Sequence, residues 1–401
     1  MKDIFHSVKF AQKDPILGLN EKYNDDPRSS KVNLGVGIYF DDNGQIPLLE
    51  SIHKIEIDYA NLAISRGYLP IDGLTEYNLN TQKLLFGESS HLLKQNRVLT
   101  IQTLGGTGAL KIGSDFLKQI LPQSKVLISN PSWENHRALF ERSGFLVESY
   151  PYYNSTTHSI DFEKMHDSLN KASAGTIVLL HVCCHNPTGV DPNIEQWKQI
   201  AKIIQENKLI PFLDMAYQGF SKNVESDSAV IRIFSDLDIP VFISSSYSKS
   251  FALYGERVGA LTIVTNNENE QAKVLSQIKC IIRTNYSNPP THGAMLVSKI
   301  LSTPRLFSLW KKELEKMRNR IYTMRSLLVN KLENQGIKEF KFILKQKGMF
   351  SYSSLTSTQV NYLQSNYGIY IVSSGRICIA ALNTHNIDNV ANAIASVIDK
   401  K

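Results

Sequence analysis

Between residues 96 and 264, short apolar runs recur with helix-spaced stretches between them. The runs are Val98–Leu104, Val126–Ser129, Thr176–Cys183, Leu209–Leu213, Pro240–Ile243 and Val258–Val264. Each is too short for a buried helix and reads as a strand. After the first run, Leu110, Gly113, Phe116/Leu117 and Ile120/Leu121 follow helical spacing, and Ile194–Gln205 does the same. Strands alternating with helices imply right-handed crossovers and a mainly parallel sheet. Functional groups then collect at the C-terminal ends of the strands. Asn186, Asp214 and Lys249 each follow one of these runs, which places all three at one sheet edge.

The flanking segments pattern differently. Met1 to about Asp14 reads as a polar arm, and Lys31–Gly37 (KVNLGVG) as a short strand ending in glycines. Leu48–Ile64 is helical, and Arg66–Gly73 (RGYLPIDG) is a loop by its Gly and Pro content, with Tyr68 in it. From Arg305 to Leu332, Trp310, Leu314, Met317, Ile321, Met324, Leu328 and Leu332 alternate steps of four and three. That spacing predicts one long helix bridging two units. Beyond it, Phe350–Ser353, Ile369–Val372, the GRICIA strand Gly375–Ala380 and a final helix predict a smaller α+β unit.

Size agrees with this division, since 401 residues exceed one ordinary core. Hydrophobic residues make up 42% and charged residues 20%, an ordinary globular balance. The formal charge of +7, with a pI near 9.0, is spread out. No Lys/Arg run exceeds two residues, which disfavours nucleic acid and suits small anionic substrates. The cysteines are Cys183, Cys184, Cys280 and Cys378, with no metal-ligand spacing. Free thiols, an N-terminus without a signal-like apolar core and the lack of any stretch of about 18 apolar residues predict a cytoplasmic protein that neither binds metal nor spans a membrane.

The chemistry centres on Lys249, in SYSKSFALYGERVG (Ser246–Gly259). Most lysines are solvated surface groups. A primary amine among hydroxyls and aromatics at a strand end can instead form a Schiff base, provided its pKa is lowered. The glycines of GGTGAL (Gly105–Leu110) at a helix start leave backbone N–H groups free for an anion. They match neither GxGxxG nor a P-loop, so a nucleotide reading is weak, and a plain strand-to-helix turn is the alternative.

If the carbonyl partner is pyridoxal phosphate, every demand of that cofactor has a candidate. Asp214 would hold the ring nitrogen protonated, and Tyr217 and Asn186 would donate to the ring oxygen. Gly106, Thr107, Ser246 and Arg257 would take the phosphate, and Trp133 would offer a ring face. An amino-acid substrate adds an α-carboxylate, for which Arg376, opening an otherwise apolar strand, is the bidentate candidate; a domain-bridging ion pair is its bland alternative. Arg283, before the loop NYSNPPTHGA, could meet the substrate's distal end.

These runs, HVCCHNPTG, DMAYQGF, SYSKSFALYGERVG and RTNYSNPPTHGA, together with DPILGL near the start and GRICIA near the end, resemble the aspartate/aromatic aminotransferase family over essentially the whole chain. These are pyridoxal-phosphate enzymes of fold type I. The resemblance implies an α/β fold with a mainly parallel seven-stranded sheet in a large domain (46–314), a smaller α+β domain (15–45 plus 315–401) and an arm (1–14). It implies catalytic roles for Lys249, Asp214 and Tyr217, with His136 behind Asp214. The substrate carboxylate would meet Gly37, Trp133, Asn186 and Arg376. It further implies a homodimer with shared sites, Tyr68 and Arg283 coming from the partner chain, and cis peptides before Pro131 and Pro187. YLPIDGL, IQTLGG, LYGERVG and GRICIAALN lean toward the aromatic amino-acid branch. The expected reaction moves the amino group of tyrosine, phenylalanine or aspartate to 2-oxoglutarate by ping-pong kinetics. A strict dicarboxylate preference, a different pyridoxal-phosphate chemistry and a non-catalytic cofactor-binding protein remain as alternatives.

Overall fold

The computed structural model describes residues 4–11, 16–63 and 65–398. The central sheet has seven strands: β1 (Val98–Leu104), β2 (Lys125–Asn130), β3 (Leu146–Pro151), β4 (Ile177–His181), β5 (Ile210–Met215), β6 (Val241–Ser246) and β7 (Val258–Val264). Their order across the sheet is β1-β7-β6-β5-β4-β2-β3. β7 runs antiparallel to both of its neighbours, and every other neighbouring pair is parallel. The C-terminal ends of β4, β5 and β6 therefore share one edge, as the placement of Asn186, Asp214 and Lys249 requires.

Two strand readings change for physical reasons. β6 continues past Ile243 through Ser244–Ser246, which pair with Leu261, Ala260 and Gly259 of β7. Serines are poor strand formers alone, but these three are buried, and Ser244 satisfies its hydroxyl on Asp214 of the adjacent strand. β3 escapes the apolar-run search because only Val147 and Tyr150 of LVESYP are buried. It lies at the sheet's edge, where Val147 and Tyr150, three apart, point to opposite faces and each joins a different core cluster, so no apolar run forms.

The sheet carries helices at its connections. α1 (Gly105–Ile120) follows β1 directly, α2 (Glu134–Arg142) follows β2, and α3 (Glu268–Asn285) follows β7. The long predicted helix is α4, Pro304–Glu333, with all seven of its expected apolar positions buried. It packs on helices Glu50–Leu62 and His292–Ser302 and on the C-terminal helix Ile387–Ile398, and so joins the two parts of the chain.

The remaining strands are short. Val32–Asn33 pairs in parallel with Ile369–Tyr370, and Phe350–Tyr352 pairs antiparallel with Arg376–Cys378. The GRICIA strand is thus three residues, because Ile379–Ala381 winds into a tight turn. Similarly, only Val32 and Asn33 of the predicted 31–37 strand are paired. Residues 4–11 of the arm are exposed and include Ile4, Phe5, Val8 and Phe10, so the arm is less polar than its sequence reading; residues 1–3 and 12–14 lie outside the described residues. Among the described residues no helix is long and apolar enough to cross a membrane, and no cluster suited to a metal ion occurs.

Candidate active site

A cavity of about 250 Å³ opens where β4, β5 and β6 end. Eleven of the predicted site residues line it: Gly37, Gly106, Thr107, Trp133, Asn186, Asp214, Tyr217, Ser246, Lys249, Arg257 and Arg376. Tyr68, 95% exposed, and Arg283, also exposed, stand outside it on the surface of the single chain.

Asp214 is the penultimate residue of β5, 7% exposed. His136 Nε2–H donates to its Oδ2 over 3.0 Å, and Ser244 donates to its Oδ1. Burial alone pushes the carboxyl's pKa up, but the bonds from His136 and Ser244 outweigh it and hold Asp214 below the ordinary value. The carboxylate is therefore ionised at neutral pH. His136 is fixed in turn by Ser132 Oγ, 2.9 Å from its Nδ1, and by edge contacts with Trp133 and His181 at 5.1 and 4.8 Å. Burial, helped by His136, pushes His181 down to about 3, so its ring is neutral.

Lys249 follows β6. Burial lowers its pKa to about 8; Asp214 opposes the fall, while Arg257 and Arg376 reinforce it. A minor but substantial fraction of the amine is thus a free nucleophile at neutral pH. Its Nζ lies 4.9 Å from the centre of the Tyr217 ring. Burial raises the Tyr217 phenol, so it remains a donor.

The N-terminus of α1 forms one wall. No side chain caps it; the Gly105 N–H bonds to the Arg257 carbonyl over 2.9 Å, and the N–H groups of Gly106 and Thr107, which line the cavity, are left available to an anion. Gly105 has φ +69°, and a Cβ there would lie 2.6 Å from an Arg257 nitrogen. A Cβ on Gly106 would lie 3.1 Å from Cβ of Ser246. Glycine at both positions therefore brings the helix end against a guanidinium and a hydroxyl.

Arg376 is 1% exposed. It donates to Asn186 Oδ1 (3.1 Å) and to the carbonyl of Gly35 (2.6 Å). Its plane lies over Phe350, 4.3 Å from the ring centre. Its Nε is buried without a partner. Leaving such a donor unpaired is costly, and a carboxylate in the cavity would satisfy it. No acid forms an ion pair with Arg376 among the described residues, so the domain-bridging alternative falls away.

Taken together, an anion cradle, an ionised buried carboxylate, a half-buried amine and an underused arginine fit the phosphate, ring nitrogen, aldehyde and substrate carboxylate implied above. The peptides before Pro131 and Pro187 are cis, as expected. The sequence reading missed His181, Ser248, Tyr254 and Phe350, which also line the cavity. His181 had a usable signal, since it is a lone imidazole inside the apolar run Thr176–Cys183. Tyr254, whose hydroxyl accepts the Tyr39 N–H over 2.9 Å, and Phe350 carried none, because only tertiary packing brings them to this edge.

Comparison with known proteins agrees with this geometry. Residues 29–394 match the family described as Aminotransferase class I and II. The chain is 52% identical over 396 residues to the aspartate aminotransferase of Pseudomonas aeruginosa, covering 98% of this chain and all of that one. It is 44% identical over 397 residues to the aromatic-amino-acid aminotransferase of Escherichia coli, again covering 98% of this chain and all of that one. The crystal structure of the aromatic-amino-acid aminotransferase from Burkholderia pseudomallei, covalently bound to pyridoxal phosphate, superposes with a TM-score of 0.96. The identity there is 55%, covering 98% of this chain and 99% of that one.

Proposed function

We propose, from the premise that this chain belongs to the class I and II aminotransferase family, that it moves amino groups from aromatic amino acids and aspartate to 2-oxoglutarate. It is a pyridoxal-phosphate-dependent transaminase. The observation that carries the proposal is one cavity in which the lowered amine of Lys249 sits with the ionised Asp214 and an arginine, Arg376, with an unpaired buried donor.

When bound, pyridoxal phosphate supplies an electron sink for the charge left at the substrate's α-carbon. The first-turn N–H groups at Gly106 and Thr107, with Ser246 and Arg257, hold its phosphate. Asp214, steadied by His136, keeps a proton on the ring nitrogen. Tyr217 and Asn186 donate to the ring oxygen, and Trp133 covers a ring face. Arg376, with Asn186 and the backbone at Gly37, grips the α-carboxylate and so fixes which α-bond faces Lys249. Lys249 Nζ takes the α-proton from the donor and, when a 2-oxo acid follows, delivers one to the acceptor's α-carbon. Two half-reactions on one site give ping-pong kinetics.

The active form in this reading is a homodimer. Tyr68 reaches the partner's phosphate site, and Arg283 meets the distal end of the partner's substrate, pairing with a carboxylate or stacking beside a ring. Residues 15–45 with 315–401 act as the smaller unit, closing on 46–314 when Arg376 is engaged. Four free cysteines suit a cytoplasmic setting.

The test has two parts. Incubation with pyridoxal phosphate followed by borohydride should label Lys249 alone, read by peptide mapping. A panel of amino donors with 2-oxoglutarate should show tyrosine and phenylalanine within about tenfold of aspartate in kcat/KM. Aromatic donors barely used beside aspartate would overturn the substrate class. An unlabelled Lys249 would overturn the cofactor assignment.

A further inference from the structure

Asp227 is a buried carboxylate, 5% exposed, that touches neither the cavity nor any cation within ion-pair reach among the described residues. Its three partners are all backbone N–H groups. Oδ2 accepts from Gly219 (2.9 Å) and Ser221 (3.0 Å), and Oδ1 accepts from Lys222 (3.0 Å). The three donors belong to one turn, the segment that leaves β5 and carries Tyr217. Burying an acid there without a counter-ion is unfavourable in itself, so its place calls for an explanation other than stability.

The turn is gripped from its other side as well. Arg318 of α4 donates to the carbonyl of Gly219 over 2.9 Å, so both polar groups of residue 219 are engaged, N–H by Asp227 and C=O by Arg318. Gly219 has φ +92°, and a Cβ there would lie 2.2 Å from a methyl group of Leu314. The Tyr217 carbonyl accepts from Phe220 N–H (3.0 Å) and from Cys183 Sγ–H (3.6 Å). Tyr217 thus opens a turn whose Phe220 N–H returns to its carbonyl and whose Gly219, Ser221 and Lys222 N–H groups end on Asp227.

We infer that Asp227, seconded by Arg318, is a positioning residue for Tyr217: it aims the phenol at the cofactor's ring oxygen without touching the cofactor. The inference rests on the aminotransferase reading. A carboxylate accepts all three N–H groups with two oxygens. An asparagine in the same volume presents one oxygen and one NH₂, so at least one backbone N–H faces another donor. The turn relaxes and the phenol loses its aim.

The consequence is spectroscopic. A donor on the ionised ring oxygen weakens that oxygen's hold on the neighbouring proton. Losing the donor moves the pH-dependent change in the bound cofactor's visible absorption to higher pH.

The experiment titrates that absorption in holoenzyme of the wild type, Asp227→Asn, Arg318→Gln, Tyr217→Phe and the double variant Asp227→Asn/Tyr217→Phe. The transition should move upward in Asp227→Asn, by less in Arg318→Gln, and by no more than in Tyr217→Phe in either. In the Tyr217→Phe background, Asp227→Asn should add nothing, because the hydroxyl it aims is already gone. A lowered melting temperature in Asp227→Asn with the transition unmoved, or equal shifts with and without the Tyr217 hydroxyl, would overturn the inference. If Asp227→Asn does not fold, Arg318→Gln and its double with Tyr217→Phe decide by the same criteria. A wild type that takes up no cofactor on Lys249 instead refutes the underlying functional reading.

Discussion

Replacing Lys249 with methionine should destroy activity and, at neutral pH, stabilise the cofactor-free protein. Burial, with Arg257 and Arg376 adding to it, takes the amine's pKa from the ordinary 10.5 to about 8. A fall of that size is worth about 3 kcal/mol against the charged form. Because folding lowers the pKa, the penalty is full below about pH 8. It fades as pH rises and is gone above about pH 10.5, where the amine is neutral folded or unfolded. Methionine fills nearly the same volume with no charge to bury. Urea unfolding of cofactor-free Lys249→Met and wild type at pH 7, at one fixed protein concentration, should therefore place the variant about 3 kcal/mol higher. At pH 10.5 the gap should shrink to within about 1 kcal/mol, since groups titrating elsewhere cancel in the difference. A variant that is no more stable than wild type at pH 7, or a gap that does not change with pH, would refute the view that the lysine is held against its solvation preference.

Two further substitutions probe the opposite walls of the cavity. Asp214→Asn keeps the shape but not the charge that holds a proton on the ring nitrogen; the rate of the half-reaction with a saturating amino donor, followed by stopped-flow absorbance, should fall by at least about a thousandfold. A variant keeping a tenth of the wild-type rate would remove Asp214 from its role. Gly106→Ala puts a methyl 3.1 Å from Ser246 and so eases the N-terminus of α1 away from the phosphate. Cofactor affinity, measured by equilibrium dialysis, should weaken by about tenfold, or about 1.4 kcal/mol, with kcat at saturating cofactor nearly unchanged. Unaltered affinity would discount the cradle.

What the sequence disclosed and what it hid divide along the range of the interaction involved. Strands buried on both faces, such as Val98–Leu104 and Val258–Val264, wrote themselves as mainly apolar runs broken only by uncharged residues, and were found to the residue. Helix Pro304–Glu333 was legible because a single face of it meets the interior throughout. The residues that act through chemistry local to a strand end, Asn186, Asp214 and Lys249, could be placed on one edge from pattern alone. Arg376 was legible as an anomaly, a charge at the mouth of an apolar strand. The hidden part depends on neighbours far along the chain. Ser244–Ser246 extend β6 only because β7 and Asp214 satisfy them. Asp227 looks like any helix-start acid until the turn at 219–222 folds over it. Phe350 reaches Arg376 only through the pairing of two three-residue strands. Tyr68 and Arg283 stand exposed, and a single chain gives neither of them a partner in the cavity.

The position of β7 between β1 and β6 bears on how the polypeptide emerges during synthesis. Within the sheet, β1 bonds to β7 alone, and β7 is the last of the seven to leave the ribosome. Until Val264 is out, the apolar Val98–Leu104 segment has an open edge that another nascent chain can occupy. Shielding by chaperones should therefore matter most across that window. Because Arg376 is translated later still, a fragment ending before it would lack the arginine proposed to grip the substrate's carboxylate.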